Sequence, residues 1–377
     1  MATPGRLRYR GFQPDPFTGR LYGVGGGYSG EIDNSINGSS AYRSSPVQIG
    51  SLGDWKLGRA AYDTSLLLRS NKYFAFGTGM PFGPGYQARS SPVQIGGEAD
   101  WTSVQGAVDN SGGGCPCAGI RAGKLFTWGR NNYGQLGLGH QTDLSSPVQV
   151  GSETDWTCIS VGNSGMAGIR SGKIFVWGIN WYANCGVSSA TNSFSSPVQV
   201  GAITNWTSVS TAAWGLHALR DGKLYGWGYN GTGEIGIGTN DNSEHDTPTQ
   251  VGTFDDWIVV EHGQMSCYGI RKPGRLYAWG WNNIGQLGLD NQVSYSSPVQ
   301  IGSGKDWSRV SAGGYTGGAG FTAAIRSGKL YGWGYNWNGQ LGFGNNVSPS
   351  SPVQVGSETD WLDVSCGHGH VLAIRHT

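Results

Sequence analysis

The chain has 377 residues, of which 67 are Gly, 16 Trp and 17 Tyr. Its net charge is +1 and 13% of its residues are charged. So many aromatics exclude a disordered low-complexity chain, and so little net charge gives no general attraction to nucleic acid or anionic membranes.

Residues 1–17, "MATPGRLRYRGFQPDPF", read as an N-terminal arm. Arg6, Arg8 and Arg10 alternate with other residues, so in an extended segment they share one side and suit an acidic groove on a partner. The segment lacks the apolar centre of a signal peptide, and no apolar stretch reaches the roughly 18 residues of a membrane span. The expected location is a virion or the cytoplasm, with no signal peptide and no membrane span.

From residue 18 onward the chain repeats itself. "FTGRLYGVG" (17–25) holds a turn and one aromatic-rich strand, the second half of a phrase that later occurs whole, as in "AGIRSGKIFVWG". "SPVQ(I/V)G" recurs at Pro46, Pro92, Pro147, Pro197, Pro298 and Pro352, with "TPTQVG" at Pro248, at spacings of 46 to 55 residues. A Trp follows each one (Trp55, Trp101, Trp156, Trp206, Trp257, Trp307, Trp361), and Arg ends a later strand in each period, from Arg69 to Arg375. Each period reads as four short strands typified by "PVQVG", "WTxVS", "AAIR" and "KLYGWG", with no helical periodicity. Ser171-Gly172, Asp221-Gly222 and Ser327-Gly328 suit two-residue hairpins that need positive φ. Four strands per period of about 50 residues imply a β-propeller, here of seven four-stranded blades. The final "GHVLAIRHT" is a third strand without its fourth. Val371–Arg375 is therefore expected to pair antiparallel with Leu21–Gly25, closing the ring in one shared blade. Residues 18–377 form one domain on this reading.

The words "W..V..G......IR.GKLY.WG.N..GQLG.G......SPVQVG" resemble the regulator of chromosome condensation repeat, a family of seven-bladed propellers, and its microbial and viral members in particular. "GQLG" stands at Gly134–Gly137, Gly285–Gly288 and Gly339–Gly342, weakens to "GEIG" at Gly233–Gly236, and is lost in the first two periods. The family's usual His remains only at His370. The founding member exchanges nucleotide on a small GTPase and binds chromatin through a projecting wedge and a basic surface. This chain shows neither feature, and a fold does not carry an activity with it.

Other motifs dissolve on inspection. "GGGYSG" (25–30) matches a dinucleotide-binding fingerprint, but "EIDNSINGSS" after it is no helix. Cys366, His368 and His370 alternate as zinc ligands on one strand face would, against a plainer reading as packed histidines. Cys117 of "CPC" holds a core slot, and the Asp before most repeat Trp residues reads as a turn former. No catalytic set, cofactor or metal site stands apart from the repeat, so an enzyme is not expected.

Four Trp lie outside the repeat positions: Trp181, Trp214, Trp281 and Trp337. Trp181, Trp281 and Trp337 follow the "WG" strand in three periods, alongside Tyr182, Tyr229 and Tyr335. Equivalent loops share one face, so these aromatics are candidates for binding a protein or a glycan, against the alternative that each covers its own loop. Between repeat Trp and strand-ending apolar residue the separation is 13 residues in five periods, but 19 at Trp101–Ile120 and 18 at Trp307–Ile325. The expected function is a non-catalytic interaction scaffold, first a virion component of tail or capsid surface. The alternatives are a regulator of a small GTPase or other enzyme, and a carbohydrate-binding propeller. The irregular first two periods and the arm are the expected contact sector.

Overall fold

The computed structural model describes residues 18–26, 32, 42–78, 89–108, 115–163, 165–187, 191–211, 214–315 and 318–377. These residues contain strands, turns and no helix, hence no helix long and apolar enough to cross a membrane. The architecture is an all-β propeller.

One repeat shows how the sequence makes a blade. Trp156–Val161, Gly165–Arg170, Lys173–Ile179 and Ser193–Gln199 pair antiparallel in chain order. The hairpin between the second and third strands turns on Ser171 (φ 48°) and Gly172 (φ 69°), as two-residue turns of matching twist require. Trp156 on the first strand and Trp177 on the third are both buried and meet edge to face at 6.0 Å. The same pair recurs as Trp206 with Trp227, Trp257 with Trp279, and Trp307 with Trp333.

The pairing corrects the expectation of seven separate four-stranded blades. Five sheets, not seven, stand as four-stranded blades. The other eight strands form one continuous sheet. Within it Gly19–Gly26 lies antiparallel to His370–His376, with Leu21 opposite Ile374, one residue out of the expected register. Gly19 also pairs with Trp55, and this joins what were expected to be two blades. Against the last strand Gly19 has no room for a side chain, because a Cβ there would collide with the Arg375 carbonyl oxygen and the Ile374 side chain. The shared closing blade is therefore half of a double sheet rather than a sheet of its own.

Sheets meet at their inner strands, where the first strand of each repeat lines a central channel that narrows to a cavity of about 70 Å³. In four repeats a serine four residues after the repeat Trp ties one inner strand to another. Ser160 accepts a hydrogen bond from Thr211 N (3.0 Å), Ser210 from His262 N (2.9 Å), Ser311 from Cys366 N (3.1 Å) and Ser365 from Ala60 N (3.1 Å). Farther out, the "GQLG" loop reaches the next sheet, where Trp177 Nε1 donates to Gln135 O (2.9 Å) and Trp333 Nε1 to Gln286 O (2.8 Å).

Candidate interaction face

In an antiparallel blade, the loop between first and second strands and the loop between third and fourth strands leave from the same side of the ring. The second loop is built around a buried Asn. Asn336 accepts a hydrogen bond from Leu341 N (2.8 Å) and donates to Asn345 O (3.0 Å) and Val347 O (2.9 Å). Asn180 and Asn230 accept in the same way from Cys185 N and Ile235 N. With the Asn held inside its loop, the residues beside it project outward, and several of these are the aromatics.

Trp181 is 52% exposed and Trp337 71% exposed. Each is braced by a Tyr: Trp181 meets Tyr133 of the preceding sheet at 5.4 Å, and Trp337 meets Tyr335 at 5.6 Å. Tyr182, Trp214 and Tyr229 form a trio across two sheets at 5.3 to 5.9 Å, and Tyr229 donates its hydroxyl to Asn242 Oδ1 (2.6 Å). Trp281 behaves differently. It is half-buried beside Gly318, and its Nε1 is buried with no hydrogen-bond partner. Thus two of the three Trp present open surface, while Trp281 packs against the neighbouring sheet's hairpin at Gly318. His368 stacks on Tyr62 at 4.3 Å on the same side. The longer period at Trp307 extends a hairpin toward this side, with Gly314 opposite Gly320 and Tyr315 opposite Ala319.

The opposite side is charged and self-satisfied. The strand-ending Arg pairs with the Asp before the repeat Trp at Arg271–Asp256 (2.5 Å), Arg326–Asp306 (2.7 Å) and Arg375–Asp360 (2.6 Å), and also at Arg69–Asp54. The guanidinium also lies over the Trp, as Arg170 does 5.7 Å from the Trp156 ring centre. These Asp residues are partners in ion pairs as well as turn residues. Where Asn205 replaces the acid, Arg220 donates to Tyr225 Oη instead (2.6 Å).

Sequence reasoning missed the charges in the channel. Arg59 stands in the serine slot of the first full repeat and pairs with Asp363 at 2.9 Å, and Arg309 lies 3.7 Å from the same carboxylate. The signal was there as a break in the Ser pattern. The alternating Cys366, His368 and His370 are not brought together as ligands. Cys366 Sγ bonds Ser311 O (3.1 Å), His370 Nε2 meets Ser65 Oγ (3.2 Å), and burial pushes His370 down to about 3 and His368 to about 4. Cys117 is a core residue. Arg6, Arg8, Arg10 and most of the loops at 26–45 and 77–90 lie outside the described residues.

The regulator of chromosome condensation (RCC1) repeat matches residues 122–168, 221–270, 273–324 and 327–374, more than half of the chain. The chain belongs to this family. Among curated proteins it is 39% identical over 121 residues to the ultraviolet-B receptor UVR8 of Arabidopsis thaliana, covering 31% of this chain and 26% of that protein. It is 33% identical over 122 residues to the probable E3 ubiquitin-protein ligase HERC3 of Homo sapiens, covering 31% and 11%. The matches thus span about a quarter or less of those relatives. Solved structures align over nearly the whole chain. Human WBSCR16 has a TM-score of 0.79 at 20% identity, covering 95% of this chain and 99% of that one. Prp20p of Saccharomyces cerevisiae, in a structure titled with its binding properties to Gsp1p and histones, has a TM-score of 0.80 at 16% identity, covering 98% and 94%.

Proposed function

We propose that this chain is a rigid protein-binding propeller that regulates a partner, with a small GTPase as the leading class, through its aromatic face. The observation that carries the reading is the pair of exposed Trp, each held by a neighbouring Tyr on a loop fixed from within. Rigid aromatics present contact area at little entropic cost, and they dominate binding energy at protein interfaces. The relatives favour a regulator: the Prp20p title pairs that protein with Gsp1p, and the family's founding member acts on a small GTPase. A virion role, the first expectation from the sequence, has no support among the relatives, and neither does a glycan ligand. The ligase relatives owe most of their length to regions this chain does not match.

The test is release of a fluorescent guanine nucleotide from a panel of small GTPases, with wild type and the double variant Trp181→Ala/Trp337→Ala. Wild type should accelerate release or bind at least one member, and the double variant should weaken this by roughly 30-fold or more, since it removes two anchors and even one is worth about 2 kcal/mol. A double variant as potent as wild type removes the aromatic face from the account. A wild type that neither binds nor affects any member removes the GTPase.

A further inference from the structure

The wall between two neighbouring blades holds a group of side chains that neither the repeat nor the interaction face explains. His217 sits on Gly215–Arg220, His262 at the end of Trp257–His262, and Cys267 on Ser266–Arg271. All three are buried, and one ligand atom from each lies within 4.8 Å of the others. Cys267 Sγ is 3.9 Å from His217 Nδ1, and the imidazoles meet edge to face at 5.0 Å.

The two histidines depart from their slots in the repeat, while Cys267 shares its slot with Cys117. His217 stands where other periods have Leu66, Ala118, Ala167, Tyr268, Ala323 and Leu372. His262 stands where they have Ala60, Gly106, Val161, Thr211, Ala312 and Cys366. Core packing alone asks for neither imidazole. Two hydrogen-bonding facts then point to a missing occupant. His217 Nε2 faces Ile235 O at 3.1 Å, which makes that nitrogen the donor and leaves Nδ1, aimed at Cys267, as a lone pair. His262 Nδ1 is also buried with no hydrogen-bond partner.

We propose that His217, His262 and Cys267 bind a thiophilic divalent cation, Zn²⁺, between the two blades. Two imidazoles and a thiolate are a donor set zinc accepts, and thiolate disfavours magnesium and calcium. Zinc bonds of about 2.3 Å to sulfur and about 2.05 Å to nitrogen place such donors about 3.6 Å apart. The 3.9 Å between Cys267 Sγ and His217 Nδ1 therefore closes with a small side-chain movement. Burial holds both imidazoles neutral, His217 down at about 4, as ligands must be. The same burial pushes the Cys267 thiol up, so the ion displaces its proton on binding. His262 lines the central channel, which supplies a route for the ion.

The experiment uses the full chain, freed of metal by chelator dialysis and titrated with Co²⁺ as a spectroscopic stand-in for Zn²⁺. Expected are a 1:1 end point, a thiolate-to-cobalt charge-transfer band, bleaching of that band by Zn²⁺, and a Zn²⁺-dependent rise in Tm. His217→Leu restores the residue found at Leu66 and Leu372 and should fold. It should weaken cobalt binding by roughly 100-fold or more, the upper end of what even an outer-shell loss costs. Cys267→Ser should remove the charge-transfer band. No thiolate band in wild type, or a band that survives both substitutions, overturns the proposal.

Discussion

Leu21 is the residue through which closure of the ring is best tested. It is fully buried, and its cluster draws Ile49, Trp55, Ala60, Leu67, Phe76, Leu372 and Ile374 from both sides of the Gly19–Trp55 join. Leu21→Ala removes three carbons, worth about 2.4 kcal/mol at about 0.8 kcal/mol each. The cavity adds to this, because its walls are paired strands that cannot collapse; Gly58 already lies against Leu21. The expected cost is about 3 to 4 kcal/mol. Urea denaturation reads it as a lower midpoint, with Leu224→Ala, the same slot in a free-standing blade, as the control. The two variants should lose similar stability. Only Leu21→Ala should also speed amide exchange at Leu372 and Ile374, because only there does the lost side chain hold the first strand to the last. A cost below about 1 kcal/mol, or unchanged exchange at those two amides, refutes the reasoning.

Ser210→Ala and Ser365→Ala should each cost about 1 to 3 kcal/mol, because each strands a buried backbone N–H between inner strands; an exposed serine replaced as control should cost almost nothing in the same melts. His217, His262, His368 and His370 all have their pKa lowered by burial. Their neutral forms belong to the fold and the unfolded chain protonates near 6.5, so the stability they contribute is complete above that pH and lost as pH falls toward about 4 and 3. Tm measured between pH 7 and pH 4 should fall, and His217→Leu should make the fall shallower; equal slopes would contradict this. Burial raises Asp63 to about 6, so its contribution has the opposite sign: stability drops as pH rises from about 4 to about 6. Asp63→Asn should therefore raise Tm at pH 7.5 and leave it unchanged at pH 4.

What the sequence disclosed was local or periodic. The hairpin at Asp221-Gly222 was legible because positive φ at both residues (50° and 73°) is a demand a dipeptide can state alone. The pairing of the first strand with the last was legible because the repeat lacked one strand at each end. The double sheet was not, because it rests on a single backbone pairing, Gly19 with Trp55, that no residue pattern announces. The serine ties were hidden as well, since Ser160 in "WTCISV" reads like any strand serine until its neighbour supplies Thr211 N. His217, His262 and Cys267 match no ligand spacing, and only the packing of adjacent blades unites them. At the interaction face, Trp181 and Trp337 were visible as surplus to the repeat. Trp281 was surplus too, yet the loop at Gly318 covers it.

Hydrogen–deuterium exchange of the propeller with and without a bound small GTPase tests the central claim most directly. The account predicts protection in the loops around Tyr133, Trp181, Tyr229 and Trp337, with the Arg–Asp hairpins of the opposite side unchanged. Protection confined to those hairpins, around Ser171, Asp221 and Ser327, would contradict it.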